Sequence, residues 1–315
     1  MIPIPKTLKN RNLLRISDFT PSELKLVIEH SQYLKSCQYE RTEHRLLIDR
    51  TIALLFEKPS TRTRVSFAAG IAHLGGSALN FSTPDLQLGN GESLRDTALV
   101  LSRYVDGIVF RTFSHAKLEQ FAESSEVPVI NGLTDTHHPC QALADALTIQ
   151  EHCGSFKDTK IAFLGDGENN VCHSLIEICS ALGGSLVVAS PSEYMPAEKI
   201  RQESSLTAAT TGAKIEYTDD AREAATGADV LYTDVWISMG RETEIEERRS
   251  AFVPFGIDES IFSLANDHAV LMHCLPARIG EEITEPLLYG PQSAVWDQAE
   301  NRMHAQKALL SLIIQ

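Results

Sequence analysis

Short apolar segments of strand length alternate with helix-length segments along most of this chain, and this alternation restricts its fold more than any other feature. Helix-length segments follow the strands, and Ser60 is placed to cap one of them, predicted to run through His73. The clearest strand segments are Thr51–Phe56, Gly107–Arg111, Lys160–Leu164 and Ser185–Ala189. Strands that are apolar throughout and lead into helices are typical of parallel sheets with helices on both faces. We therefore predict an α/β protein.

The strand–helix alternation restarts after Cys153-Gly154-Ser155, near the middle of the 315 residues. This length is typical of two domains rather than one. We predict domains over residues 1–148 and 149–298, each a parallel sheet with helices on both faces. A C-terminal helix over 299–315 is expected to pack back on the first domain. Because ligands of open α/β sheets bind beyond the carboxyl ends of the strands, we expect the active site in the cleft between the domains.

The composition excludes several classes of partner. Acidic residues outnumber basic ones by 42 to 28, for a net charge of −14, which provides no broad surface for nucleic acid or anionic lipid. No apolar stretch approaches the ~18 residues of a membrane span, and Met1–Arg15 contains no apolar core of a secretory signal. The six cysteines show no CxxC pair or zinc-ligand spacing. We expect a soluble cytoplasmic protein with free thiols and no metal or cofactor.

The segment Ser60-Thr61-Arg62-Thr63-Arg64 is predicted to bind a phosphate. It follows a strand where a helix begins, and the first turn of a helix offers unpaired N–H groups to an anion. Hydroxyl groups and the forked guanidinium groups of Arg62 and Arg64 add donors suited to phosphate oxygens. The glycines and the Lys-Ser/Thr pair of a nucleotide-binding P-loop are absent from this segment. The alternative is a plain helix cap with solvated arginines.

Further polar residues follow other strands of the first domain. Arg111 ends one predicted strand, and His138-Pro139-Cys140-Gln141 precedes the helix after another. Taken singly, each could be an ordinary surface or loop residue. Their expected position at the same sheet edge as Ser60–Arg64 favours one shared site.

In the second domain, Gly165-Asp166-Gly167 follows a strand and suggests a dinucleotide site. The signal is weak, because Asn170 occupies the third glycine position and the next strand ends in Ala189-Ser190-Pro191, with no acidic residue for a ribose. A nicotinamide cofactor is therefore disfavoured.

Asn170, Asp234 and Ser238 instead offer an amide, a carboxylate and a hydroxyl after strands of the second domain. This combination suits the head group of an amino acid. A solvated loop at the end of a strand is the alternative. His273-Cys274-Leu275-Pro276 ends one more predicted strand in the same layer, where a buried structural cysteine would be the ordinary interpretation.

Eight ordered segments make the chain similar to the ornithine carbamoyltransferases along essentially its whole length. They are Ser60–Arg64, Gln87-Leu88-Gly89 with Gly91-Glu92, Arg111, His138–Gln141, Gly165–Gly167 with Asn169-Asn170, Asp234 with Ser238-Met239-Gly240, His273–Pro276, and Glu300-Asn301-Arg302. The first of these segments also resemble the aspartate carbamoyltransferases. The Ser-Met-Gly and His-Cys-Leu-Pro segments, and the absence of lysine over Asp85–Ser93, favour the ornithine branch.

This resemblance implies transfer of the carbamoyl group of carbamoyl phosphate to the δ-amine of L-ornithine, giving L-citrulline and phosphate in arginine metabolism. It implies that the first domain binds carbamoyl phosphate and the second binds ornithine, and that Gln87 reaches the site of a neighbouring subunit in a homotrimer or a multiple of trimers. The implied carbamoyl phosphate ligands are Ser60, Thr61, Arg62, Thr63, Gln87, Arg111, His138, Gln141, Cys274, Leu275 and Arg302. The implied ornithine ligands are Asn170, Asp234, Ser238 and Met239. The implied catalytic residues are Arg62, Arg111, His138, Asp234 and Cys274.

Two alternatives remain at this stage. One is a carbamoyltransferase for another amine, such as putrescine or an N-acylated ornithine. Asp234 with Ser238-Met239 favours a free amino-acid head group, which putrescine lacks. The other is an inactive relative that only binds ligands or partners, which the intact arginine and histidine set disfavours.

Overall fold

A computed structural model describes residues 8–82, 91–237 and 244–314 of the chain. The chain divides into two compact units. The first combines residues up to 144 with residues from 301 onward, and the second is Asp145–Glu300. The first unit is therefore built from two separate stretches of sequence.

The first unit contains a four-stranded sheet in which all strands are parallel, in the order β2-β1-β3-β4. Strands β1, β3 and β4 are almost wholly buried, as expected for strands covered by helices. The strands are β1 (Thr51–Phe56), β2 (Ser77–Ser82), β3 (Gly107–Arg111) and β4 (Val129–Leu133). The helices before residue 145 are α1 (Pro21–Tyr39), α2 (Thr61–His73), α3 (Leu94–Leu101) and α4 (His115–Ser124).

The second unit contains a five-stranded parallel sheet in the order β7-β6-β5-β8-β9. Its strands are β5 (Lys160–Leu164), β6 (Ser185–Ala189), β7 (Lys214–Thr218), β8 (Val230–Thr233) and β9 (Val270–His273). Its helices are α6 (Asn170–Leu182), α7 (Glu198–Thr211), α8 (Ala221–Ala225), α9 (Ile245–Phe252), α10 (Glu259–Phe262) and α11 (Glu285–Leu288). The predicted α/β class, with two parallel sheets and helices around them, is confirmed.

Two helices include residues of both compact units. Helix α5 (Pro139–Cys153) continues past residue 144, and α12 (Val295–Ile313) begins before residue 301. Helix α12 starts four residues earlier than the helix predicted over 299–315. Its last turns are buried in the first unit, where His30 of α1 meets Ser311 with a ring nitrogen to hydroxyl distance of 3.0 Å.

Local features set the ends of two other elements. Strand β4 begins at Val129, since Pro128 has no N–H for the strand ladder. Helix α3 ends at Leu101. The N–H groups of Arg103 and Tyr104 donate to carbonyls three residues back, so the final turn tightens into a 3₁₀ type.

All six cysteines are free thiols. Across the part of the chain that the structure describes, no helix is both long enough and apolar enough to cross a bilayer.

Candidate active site

The N-terminus of α2 forms the first part of the candidate site. Ser60 caps the helix, and its hydroxyl oxygen accepts a hydrogen bond from the Thr63 N–H at 3.3 Å. The helix-cap alternative is therefore correct for Ser60, but it does not exclude an anion, because the same hydroxyl still has a proton to donate. Thr61 and Arg62 are exposed on the first turn, whereas Thr63 is buried.

Two buried arginines from distant parts of the sequence meet at Thr63. Arg302 Nη2 donates to Thr63 Oγ1 at 2.7 Å, and Arg111 Nη1 lies 3.4 Å from the same oxygen. Arg111 ends β3, and Arg302 lies on α12. The fold thus collects two predicted guanidinium groups at the first turn of α2, where the positive end of the helix dipole also lies.

His138 shows that positive charge is concentrated here. Burial lowers the pKa of this histidine well below its usual value, and the nearby cations of Arg302, Arg111 and Arg62 lower it further. The imidazole is therefore neutral at physiological pH, with one nitrogen able to donate and the other to accept. Since these three arginines all act on His138, and two of them contact Thr63, these five predicted residues form one group.

Two residues next to His138 have different surroundings. Cys140 is buried, its thiol donates to the Asn131 carbonyl at 3.5 Å, and burial raises its pKa to about 12. Cys140 is thus a structural thiol in the reduced state. Gln141 is fully buried in the first turn of α5.

A partly buried polar network fixes the end of β1, just before the segment predicted to bind phosphate. The Glu57 carboxylate accepts from Thr112 Oγ1 at 2.5 Å and pairs with the Lys117 ammonium, while the Glu57 N–H donates to the Arg111 carbonyl at 2.9 Å. The Lys58 ammonium lies 3.9 Å from the centroid of the Phe113 ring. These contacts tether Arg111 and the two residues after it to the end of β1.

Asp234 is the centre of the second group of predicted residues. It follows β8 and is 6% exposed. Its Oδ2 accepts from Asn169 Nδ2 at 2.8 Å, and its Oδ1 accepts from the Cys274 thiol at 3.1 Å. Asp234 and Cys274, predicted from separate segments, are therefore direct neighbours.

Asn169 is the residue that the sequence analysis missed. In the sequence, Asn169 appears only beside Asn170 in one of the segments that resemble the carbamoyltransferases. The structure makes it the N-cap of α6, with its Oδ1 accepting from Val171 N at 2.6 Å, and Asn170 is the first helical residue. The preference of asparagine for N-caps is the signal that could have identified it.

The His-Cys-Leu-Pro segment is shaped by a buried histidine and glutamate. The Leu275 N–H donates to His273 Nδ1 at 2.9 Å, so the hydrogen of the neutral ring lies on Nε2, which is 3.1 Å from Glu282 Oε1. Leu275 has φ +59°, a left-handed conformation that is strained for a leucine and is held here by these contacts. Glu282 was not predicted, and no sequence pattern marks it.

Asp234, His273 and Cys274 could also hold a metal ion. One ligand atom of each lies within 4.8 Å of the others, and they form the one such group among the residues that the structure describes. The Cys274 thiol already donates to Asp234 Oδ1, and the two ring nitrogens of His273 already contact Leu275 N and Glu282 Oε1. A metal ion would have to displace these contacts.

Three predicted site residues, Gln87, Ser238 and Met239, lie outside the described residues. In Gly165-Asp166-Gly167, the second glycine serves close packing, since a Cβ at Gly167 would lie 2.6 Å from the Tyr194 carbonyl oxygen.

Comparison with known families defines the class of protein. A family model described as the carbamoyl-phosphate binding domain of aspartate/ornithine carbamoyltransferase matches residues 11–151, and a second, described as its Asp/Orn binding domain, matches residues 157–313. The chain therefore belongs to the aspartate/ornithine carbamoyltransferase family, which confirms the resemblance found in the sequence.

Individual relatives point to one branch of this family. The chain is 51% identical over 313 residues to the ornithine carbamoyltransferase of Hyperthermus butylicus, covering 99% of each chain. It is 49% identical over 308 residues to that of Pyrococcus horikoshii, covering 98% of this chain and 97% of the relative. Among solved structures, the ornithine carbamoyltransferase of Pyrococcus furiosus aligns with a TM-score of 0.94 at 49% identity over 98% of both chains.

Proposed function

We propose that this chain is an ornithine carbamoyltransferase, which transfers the carbamoyl group of carbamoyl phosphate to the δ-amine of L-ornithine and releases L-citrulline and phosphate. The observation that carries the proposal is the Asn169–Asp234–Cys274 contact, in a chain half identical over its length to enzymes of that name. A relative from Pyrococcus furiosus is named as the anabolic enzyme. We place the reaction in arginine biosynthesis.

Carbamoyl phosphate is assigned to residues of the first unit together with Cys274 and Leu275. The side chains and N–H groups of Ser60, Thr61, Arg62 and Thr63, together with Arg111, hold the phosphate. The helix terminus and the arginines stabilise the negative charge that grows on the leaving oxygen. His138, Gln141 and Arg302, with the main chain of Cys274 and Leu275, contact the carbamoyl group. Donors aimed at a carbonyl oxygen in this way are worth about 3–4 kcal/mol each in enzymes where this was measured.

Ornithine is assigned to Asn170, Asp234, Ser238 and Met239 of residues 149–298. The carboxylate of Asp234 is already oriented on two sides by Asn169 and Cys274, so it presents a fixed charge to the substrate. An N-acylated ornithine would lack the cationic α-amine that such a carboxylate suits, and putrescine would lack the carboxylate-bearing head group. The relatives' names do not favour either alternative amine.

The chemical step joins the amine nitrogen to the carbonyl carbon as the bond from that carbon to the phosphate oxygen breaks, and the amine loses a proton. An alkyl amine with a pKa of ~10.4 is mostly protonated at neutral pH, so binding has to favour the free amine. The reaction needs no covalent intermediate, because carbamoyl phosphate is already activated. Cys274 therefore acts by orienting Asp234 rather than as a nucleophile.

We further propose a cytoplasmic homotrimer, or a multiple of trimers, in which Gln87 completes the site of a neighbouring subunit. Sedimentation of the full chain tests the assembly. In mixtures of a Gln87→Ala subunit with an Arg62→Ala subunit, shared sites predict partial recovery of activity. Recovery absent from mixed trimers would contradict the sharing.

The experiment that tests the function is a side-by-side assay of ureido product and phosphate release. Carbamoyl phosphate is supplied with L-ornithine, N-acetylornithine, putrescine or L-aspartate. Turnover with L-ornithine far above the rest is the expected result. A preference for another amine would contradict the assignment of Asp234, and no turnover with any amine would contradict the proposed enzyme.

A further inference from the structure

Arg248 is a fully buried arginine that none of the preceding roles uses. It lies on α9 and is 1% exposed. Its guanidinium carbon lies 4.7 Å from the centroid of the Tyr194 ring and 5.3 Å from that of Phe252. Two aromatic rings therefore fix the plane of the guanidinium group.

The guanidinium group joins three segments of the second unit. Arg248 Nε donates to the Trp236 carbonyl at 2.9 Å, Nη1 lies 3.3 Å from Glu244 Oε2, and Nη2 pairs with the Asp166 carboxylate. The Asp166 side chain is 4% exposed. Arg248 and Asp166 thus form a buried ion pair between α9 and the turn after β5, and Arg248 Nε also binds the segment after β8.

Both members of this ion pair contact backbone next to the Asn169–Asp234 hydrogen bond. Asp166 shapes the turn before α6, since its Oδ1 accepts from Glu168 N at 3.1 Å and its carbonyl from Asn169 N at 3.2 Å. Trp236 is two residues beyond Asp234. A single guanidinium group therefore connects the backbone that carries Asn169 with the backbone that carries Asp234.

Stability alone does not account for an ion pair in this position. Buried ion pairs can often be replaced by apolar side chains of similar volume without loss of stability, because desolvation offsets their attraction. Burial raises the pKa of Asp166 to about 7, and Arg248 is the main group opposing that rise. The forked guanidinium group instead constrains the positions of two segments, because it contacts Asp166 and the Trp236 carbonyl in fixed directions.

We propose that Arg248 is a positioning residue for the amine substrate, holding Asn169 and Asp234 in the arrangement that receives ornithine. The proposal rests on the proposed function. Arg248 does not touch the reacting atoms in this proposal; it acts through Asp166 and the Trp236 carbonyl. The residues assigned to carbamoyl phosphate in the first unit do not depend on it.

The test compares steady-state kinetics of the full-length wild type with Arg248→Met, Arg248→Lys and Asp166→Asn. We expect Arg248→Met and Asp166→Asn to raise the KM for ornithine about tenfold or more, with the KM for carbamoyl phosphate within about twofold of wild type. Lysine keeps the charge without the fork, so Arg248→Lys should give an intermediate KM.

Arg201→Met is the matched control. Arg201 belongs to the same unit, lies 5.8 Å from the Tyr217 ring centroid and pairs with Glu198, but its side chain is 38% exposed. The KM of the Arg201→Met variant for ornithine should remain at the wild-type value. If circular dichroism shows that Arg248→Met does not fold, then Arg248→Lys and the isosteric Asp166→Asn test the positioning role.

An unchanged ornithine KM in the folded variants would overturn the positioning role, as would equal rises for both substrates. Wild-type protein without ornithine turnover would overturn the proposed function and this inference with it. The two failures are thus separated by the wild-type assay.

Discussion

Arg302 and Thr63 are 239 residues apart in sequence, and the guanidinium group of one donates to the hydroxyl of the other over 2.7 Å. Arg111 approaches the same hydroxyl at 3.4 Å. Thr63 is therefore the point at which three separate sequence segments are brought together in the carbamoyl phosphate group.

Replacing this hydroxyl tests whether it orients the arginines. Thr63→Val keeps the shape of the side chain but removes the acceptor, so the KM for carbamoyl phosphate should rise about tenfold, the lower end for a hydrogen bond to a charged group. Thr63→Ser keeps the hydroxyl and should stay within about threefold of wild type. Initial rates at saturating ornithine measure the KM for carbamoyl phosphate of both variants. A wild-type KM in the valine variant would contradict the orienting role.

Asp234→Asn should affect one substrate and not the other. The amide keeps the size of the side chain but loses the charge that we propose binds the ornithine α-amine. We expect kcat/KM for ornithine to fall about 100-fold, or about 2.7 kcal/mol. The KM for carbamoyl phosphate should change little, and Asp219→Asn on the surface of the same unit is the control. Equal losses for both substrates would contradict the division of the site into two groups.

Cys274→Ser distinguishes an orienting thiol from a nucleophile. A serine hydroxyl can still donate to Asp234 Oδ1, so we expect kcat to fall by no more than about tenfold, whereas Cys274→Ala should fall further. Loss of a true nucleophile costs on the order of a millionfold in a serine protease where it was measured. A loss of that size in the serine variant, with the fold intact, would show that Cys274 reacts covalently.

His30 should make the protein less stable in acid. Burial lowers the pKa of His30 to about 4, whereas an unfolded histidine titrates near its ordinary 6.5. The unfolded chain then binds the extra proton between these values, so the His30 contribution is complete above the unfolded pKa and is lost as the pH falls.

Urea unfolding of wild type and His30→Gln, at about pH 7.5 and about pH 5.5, measures this effect. The stability lost on acidification should be about 1.3 kcal/mol smaller in the variant, because glutamine does not titrate. His268→Gln is the control, since the His268 side chain is 72% exposed. Equal losses in wild type and His30→Gln would show that His30 titrates normally in the folded state.

The sequence predicted the sheets better than the contacts of the site. Strands β1, β3, β5 and β6 were predicted to the residue, because a run of buried apolar residues between polar ends has only one plausible extent. The start of α2 was predicted correctly from Ser60, which caps it. These are local signals, decided by a few adjacent residues.

Contacts between distant segments had no such signal. The pairing of Arg248 with Asp166 depends on helix α9 meeting the turn after β5 in the folded chain. The Gly165-Asp166-Gly167 motif drew attention to Asp166, but nothing in the sequence marks Arg248 as its partner. Asn169 and Asn170 illustrate the same limit at close range, because successive residues at a helix start point in different directions. A shift of the helix start by one residue would change which of the two asparagines contacts Asp234.

The discontinuous first unit has a consequence for protein synthesis. The segment that we propose binds phosphate is translated early, but Arg302, which contacts Thr63, is more than two hundred codons downstream. The nascent chain therefore cannot form the proposed set of carbamoyl phosphate ligands until the second unit has also been made.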